Sequence, residues 1–244
     1  MEYNLAMIRS RDGVVGMHCE QDVDINAIFL KFILDELCDD CALLDVGTGN
    51  GFVLQQINRL SGRKIRLYGI DQSVEMVKIA KDCLRGSARI LCADVNDIPF
   101  NDCTFNVVTA KNVTRINAAE IFRVLRCGGS FIFREYGLGK GVVEMAEIFE
   151  GRLIRQRKPE YYVELLRNAG FNIDFLKKYQ FTRRYRSPSD LVEIAKSFPL
   201  IENFSLDDER RILSHFANDA TITSDPFILL ARKLESEVGQ YAKS

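Results

Sequence analysis

The sequence predicts an α/β fold, a mostly parallel sheet of seven strands covered by helices on both faces. Short aliphatic runs alternate with amphipathic stretches along the chain, the pattern of repeated βαβ units. The run Leu43-Leu44-Asp45-Val46-Gly47-Thr48-Gly49-Asn50-Gly51-Phe52 reads as a buried strand, a three-glycine turn and the start of a helix. Glycine tolerates positive φ and lets backbone amides approach a ligand, and the carboxyl end of the first strand of an open α/β sheet is where nucleotide-like ligands sit. At 244 residues, 47% hydrophobic and 27% charged, the chain is large enough for one such domain, so residues 1–244 are read as a single unit.

The elements follow in order. Asp22 or Asp24 caps a helix through Leu37, with Ile25, Ile28, Phe29, Phe32 and Ile33 on one stripe. Strand one is Ala42 to Val46, and the helix after Gly49 carries Phe52, Val53, Leu54 and Ile57. Strand two, Ile65 to Ile70, ends at Asp71, after which Ser73 caps a helix that stops near Gly86. Strand three is Ala88 to Ala93, and strand four is Phe105 to Ala110. A helix over Ala118 to Leu125 ends at Gly128-Gly129, and strand five is Ser130 to Arg134. Pro159 opens a helix through Arg167, closed by Gly170, and strand six is Asn172 to Phe181. Strand seven is Pro226 to Ala231. Residues 182–224 between the last two strands form a helical insertion: Ser189 opens one helix, and Ser205-Leu206-Asp207-Asp208 is a capping-box start for another. Residues 1–38 are expected to form an N-terminal lid.

The ligand at the turn follows from its spacing. A dinucleotide fingerprint needs a small residue at the third position of G-x-G-x-x-G/A, and here that position is Phe52. Asp45, just before the turn, is poorly placed beside a pyrophosphate. The pattern D-x-G-x-G-x-G instead resembles motif I of the class I S-adenosylmethionine (SAM) dependent methyltransferases. Further stretches carry the resemblance: Leu67-Tyr68-Gly69-Ile70-Asp71, Ala93-Asp94-Val95 with Ile98-Pro99-Phe100, and Glu120 to Gly129. Two positions depart from the family pattern. Cys127 stands where a proline is usual, and Asn106 where an aspartate is frequent.

The resemblance implies a Rossmann-like seven-stranded sheet whose last strand is antiparallel, SAM as cofactor, and the following site. Asp45 and the turn Gly47, Thr48, Gly49, Asn50 and Gly51 hold the amino-acid end. Asp71, with Gln72 beside it, takes the ribose diol, which two carboxylate oxygens suit. Asp94 accepts the adenine amino group, the Val95 amide faces a ring nitrogen, and Met76 packs on the adenine face. Lys111 and Asn112 contact the cofactor after strand four. Three aspartates also suit a positive sulfonium. Arg134 and Tyr136 border the acceptor after strand five. His18, in the N-terminal segment, and Glu135 are the candidate proton acceptors, histidine being the side chain tuned to neutral pH. Arg183 and Arg186 lead into the insertion and suit an anionic acceptor through paired hydrogen bonds.

Composition narrows the partners. Net charge is −1, so no global field favours nucleic acid. The longest apolar candidate, Ala27 to Leu34, is interrupted by Lys31 and falls short of a membrane span. The N-terminus lacks a charged-then-apolar signal pattern, so the expected location is the cytoplasm. Seven scattered cysteines and two histidines argue for reduced, buried thiols and no metal site, with Cys92 and Cys127 in core segments. The expected activity is methyl transfer to an oxygen, nitrogen or carbon atom of a small molecule, similar to the trans-aconitate and quinone-pathway group. The alternatives are an RNA or protein methyltransferase, a SAM-binding module without turnover and, weakest, a nicotinamide oxidoreductase. Oligomeric state is open.

Overall fold

The computed structural model describes residues 19–113, 115–154, 156–197 and 200–234. The elements run β1 (Glu20–Gln21), α1 (Ile25–Glu36), β2 (Ala42–Val46), α2 (Phe52–Leu60), β3 (Arg66–Asp71), α3 (Val74–Leu84), β4 (Arg89–Cys92) and β5 (Phe105–Lys111). There follow α4 (Ala118–Val124), β6 (Leu125–Tyr136), α5 (Val143–Ile148), α6 (Pro159–Asn168), β7 (Asn172–Lys178), β8 (Phe181–Arg184), α7 (Pro188–Ser197), α8 (Leu206–His215), β9 (Thr221–Ser224) and β10 (Pro226–Arg232). They group into two compact units.

The larger unit comprises Asn26–Glu135, Glu160–Lys177 and the described residues from Ile228 on. Its sheet has seven strands in the order β4-β3-β2-β5-β6-β10-β7. All five residues of β2 are buried, as a central strand covered on both faces requires. It pairs in parallel with β3 and β5, and β4 and β6 extend the parallel set outwards. β10 runs against β6: Gly128 N–H donates to the Lys233 carbonyl (2.7 Å) and Lys233 N–H to that of Gly129 (3.0 Å). The helices turn apolar faces inward, with Val53, Leu54 and Ile57 of α2 and Met76, Val77, Ala80 and Leu84 of α3 buried. Ser73 caps α3 as its sequence predicts, its side chain accepting from the Met76 amide. Arg232 anchors the β10 side of the sheet through Glu36 (3.0 Å) and Asp174 (2.8 Å).

Three expectations change. Strand five is longer than Ser130 to Arg134, because β6 starts at Leu125. Its pairing with β5 jumps from Phe105↔Leu125 to Val107↔Ser130, and the extra residues bulge at Gly128, whose φ is +75°. Strand six is shorter than Asn172 to Phe181. Tyr179 N–H donates to the Pro226 carbonyl (2.8 Å), and Pro226 has no N–H with which to continue that ladder, so the chain beyond pairs elsewhere as β8. The thiols also differ. Cys41 is buried, but Cys92, on the edge strand β4, and Cys127, in the bulge of β6, are exposed.

The smaller unit comprises the described residues up to Ile25, Tyr136–Pro159 and Lys178–Phe227. Its sheet is β1-β8-β9, antiparallel throughout. Helices α5, α7 and α8 pack around Met145, Phe149, Leu191, Ile212, Phe216 and Ile222. The capping box expected at Ser205 is present, with Asp208 as its third helical residue, and Arg152 grips the same carboxylate at 2.8 and 2.9 Å.

Asp225 organises the loop that follows β6. Its carboxylate accepts the Gly139 and Gly141 amides at 2.7 Å each, and its carbonyl accepts the Gly137 amide at 2.9 Å. Asp225→Asn keeps one side-chain acceptor of the two, so one N–H is left unpaired. The expected cost is ~1–2 kcal/mol, read as a lower urea midpoint at unchanged m.

Candidate cofactor site

The candidate site is built on the carboxyl ends of β2, β3, β4 and β5, all in the larger unit. β2 carries Asp45 to its end, opposite Thr109 of β5. Thr109 Oγ1 donates to Asp45 Oδ1 at 2.7 Å, and both residues are buried. Burial pushes the Asp45 carboxyl up from 3.8 to about 6; the Thr109 hydroxyl and the Lys111 charge resist that rise.

The glycine turn follows at once. Gly47, Gly49 and Gly51 have φ of +67°, +56° and +81°, the left-handed region in which a side chain is strained. The Thr48 amide is tied to the Ile70 carbonyl (2.9 Å), which fixes the turn against β3. A Cβ on Gly47 would stand 2.4 Å from Val113 Cγ1, and one on Gly51 would stand 2.9 Å from Leu84 Cδ1. A Cβ on Gly49 would meet nothing within 4 Å, so the turn is open there. Thr48 Oγ1 is buried without a well-formed hydrogen bond among the described residues. The Thr48 hydroxyl also interacts with the Asp45 carboxylate, short of good hydrogen-bond geometry, and an open glycine face beside it fits a polar ligand lying against the turn. Asn50 Oδ1 accepts the Phe52 amide (3.2 Å) and so starts α2.

Asp71 braces this turn from β3. Its Oδ2 accepts the Gly49 amide and its Oδ1 the Ser73 amide, both at 2.9 Å. Carboxylate oxygens have two acceptor sites each, so capacity remains for a diol. Gln72 is exposed beside it, while Met76 is buried on the first turn of α3. Asp94 follows β4 and is exposed; its Oδ1 accepts the amide and the side chain of Asn96 at 2.8 and 2.9 Å. Val95 beside it is half-buried. Lys111 ends β5 with Nζ 4.6 Å above the Phe52 ring, and Asn112 adopts a φ of +52° with its amide on the Arg134 carbonyl (2.9 Å).

The remaining candidates are spread more widely. Arg134 and Glu135 on β6 are buried, at 2% and 4% exposure, with Arg134 Nη1 3.5 Å from Asn26 Oδ1. Tyr136, Arg183 and Arg186 belong to the smaller unit. Arg183 Nη2 donates to Tyr136 Oη at 3.3 Å, whereas Arg186 is exposed and its backbone amide donates to Asp190. His18 lies outside the described residues. Sequence reading missed Thr109, although a lone hydroxyl in the apolar run Phe105 to Ala110 was a signal, and Val113, for which no signal existed.

Comparison with known proteins bears on the chain as a whole. Residues 44–133 match the model of a methyltransferase domain. Over 105 residues the chain is 32% identical to the ubiquinone/menaquinone biosynthesis C-methyltransferase UbiE of Idiomarina loihiensis, covering 38% of this chain and 42% of that one. The chain spans less than half the length of the curated relatives it matches. A crystal structure described as a putative methyltransferase from Bacillus halodurans superposes with a TM-score of 0.67 at 17% identity, covering 87% of this chain and 100% of that one. The [4+2]-cyclase SpnF superposes at 0.65 with 22% identity, covering 93% of each chain. Over residues 44–133 the chain is therefore similar to a methyltransferase domain, and it shares its fold with these two solved structures. No helix among the described residues is long and apolar enough to cross a membrane.

Proposed function

We propose that the protein is a SAM-dependent methyltransferase that methylates a small molecule by direct displacement at the methyl carbon. The observation that carries this reading is the open glycine turn braced by Asp71, with Asp45 and Asp94 at the two neighbouring strand ends. In this reading the turn and Asp45 receive the amino-acid end of SAM, Asp71 and Gln72 the ribose, and Asp94, Val95 and Met76 the adenine. Lys111 and Asn112 complete the cradle after β5. When bound, SAM supplies an electrophilic methyl group that needs no activation by the protein. The protein's task is then to align the acceptor, exclude water and take up a proton where the acceptor holds one. Glu135, buried at the end of β6, is the described candidate for that proton, and His18 is the other. Arg134 and Tyr136 are assigned to the acceptor side, as are Arg183 and Arg186.

We read residues 1–244 as one functional methyltransferase domain, with 1–38 as lid and 182–224 as insertion, working in the cytoplasm. A small acceptor is favoured over RNA by the net charge of −1. The UbiE relative is named for carbon methylation, which keeps carbon among the acceptor atoms beside oxygen and nitrogen. A second reading, cofactor binding without methyl transfer, has its own support: a protein named as a cyclase shares the fold, and fold alone does not set the reaction.

Incubating the full chain with isotopically labelled SAM and a metabolite extract separates these readings. Label entering a small molecule only when the protein is present is the expected result. Label confined to RNA or protein, or no transfer despite cofactor binding, would overturn it.

A further inference from the structure

Arg183 is an unusual charge among the described residues. Three other partly buried arginines are each matched by carboxylates: Arg123 by Glu120 and Asp102, Arg152 by Asp208, and Arg232 by Glu36 and Asp174. Arg183 has no carboxylate partner among the described residues, and its Nε is buried with no hydrogen-bond partner there. Its cross-strand neighbours are uncharged, Gln21 on β1 and Ile222 on β9. The nearby acids are used elsewhere. Asp22 accepts from Thr182 Oγ1 (3.0 Å), and Glu20 stands opposite Arg184; positions 182 and 184 point to the other face of β8.

Aromatic groups surround Arg183 instead. Its guanidinium carbon lies 5.9 Å from the Tyr136 ring centroid and 5.4 Å from that of Phe181. Its Nη2 donates to the Tyr136 hydroxyl at 3.3 Å, and the Tyr185 hydroxyl is close enough to interact with it electrostatically. Burial pushes the Tyr185 hydroxyl up to about 12, so at neutral pH it stays protonated and offers no negative charge. A guanidinium held mostly out of water, flanked by two hydroxyl groups and without a counter-charge among the described residues, is an incomplete ion pair.

We infer that Arg183, with the Tyr136 and Tyr185 hydroxyls, is a binding site for the carboxylate of an otherwise apolar, planar acceptor. The inference deepens the methyltransferase reading and rests on it for the word acceptor; the anion site itself does not. A single carboxylate is favoured over phosphate because one guanidinium fork neutralises one charge and binds two oxygens in its plane. The Phe181 and Tyr136 rings beside the guanidinium supply the apolar surface that would meet the rest of the molecule.

The test is calorimetry on the full chain saturated with S-adenosylhomocysteine, titrated with benzoate, benzyl alcohol or inorganic phosphate. Benzoate should bind saturably at one site, more tightly than phosphate, and benzyl alcohol should not. Arg183→Met should weaken benzoate at least tenfold and leave the affinity for S-adenosylhomocysteine unchanged. If Arg183→Met does not fold, Arg183→Lys, which keeps the charge without the fork, should weaken benzoate at least threefold. Equal benzoate affinity in the variants, or no saturable benzoate binding to the wild-type chain, overturns the site. Preferred phosphate binding overturns the carboxylate assignment. Failure to bind S-adenosylhomocysteine overturns the methyltransferase reading instead, and the benzoate titration of the cofactor-free chain still decides the anion site.

Discussion

Gly47→Ala is expected to cost at least tenfold in SAM affinity and to lower the thermal midpoint by several degrees. Two independent effects act at this position. The backbone φ of +67° costs an L-residue ~1–2 kcal/mol, and the new methyl group would stand 2.4 Å from Val113 Cγ1. Val113 follows Asn112 at the end of β5, so relief of the clash by movement would displace the segment assigned to the cofactor. The two effects separate in a double variant. Val113→Ala placed on Gly47→Ala removes the steric part and leaves the backbone part, so stability should recover only partly. Full recovery would show that the left-handed backbone carries no cost, and no loss in the single variant would refute the geometry of the turn.

Asp45→Asn is expected to separate stability from function. The folded Asp45 carboxyl is raised from 3.8 to about 6, so the folded state holds its proton more tightly than the unfolded chain. The stability this group contributes is therefore complete below pH 3.8 and lost as pH rises through about 6. At about 1.4 kcal/mol per pH unit, the buried charge costs ~3 kcal/mol at neutral pH. Asn has the same shape, still accepts the Thr109 hydroxyl, and carries no charge. Asp45→Asn should thus be more stable than wild type at pH 7.5 by ~1–3 kcal/mol, the gap closing as pH falls towards 4. It should also bind SAM more weakly, because the charge proposed to face the ligand's amino-acid end is gone. Urea titrations at several pH values check the first claim and calorimetry the second. A pH-independent gap would mean that the carboxyl is not buried as described.

The carboxylate would then be retained for binding at the expense of stability, a pattern common at functional sites. Asp71 does not share this conflict. Its carboxylate accepts two backbone amides, so one group braces the turn and keeps acceptor capacity for a ligand.

Local chemistry explains which features were legible in the sequence. β2 was readable because Ala42-Leu43-Leu44-Asp45-Val46 is apolar apart from the site residue, as a fully buried strand must be. Ser73 and the Ser205–Asp208 box marked helix starts because their hydroxyls satisfy amides only one turn away. The β1-β8-β9 sheet was not legible. Its strands are two to four residues long, and Thr182-Arg183-Arg184 has no apolar alternation to mark a strand. The partition into two units depends on contacts between segments far apart in sequence, such as Glu144 with Thr223 (2.7 Å). The environment of Arg183 was equally hidden: a basic residue near an insertion suggested an anion, but the lack of a carboxylate partner among the described residues is a property of three-dimensional neighbours. The antiparallel seventh strand came from family resemblance, and the paired hydrogen bonds of Gly128, Gly129 and Lys233 supply its physical basis.

The central claim is that the turn and its three flanking aspartates select an adenosyl sulfonium over a nicotinamide dinucleotide. Calorimetric titration of the full chain with SAM and, separately, with NADH tests it most directly. The account predicts one saturable SAM site, weakened at least tenfold by Asp71→Ala, and no saturable NADH binding. NADH binding at that site, or SAM affinity indifferent to Asp71→Ala, would contradict it.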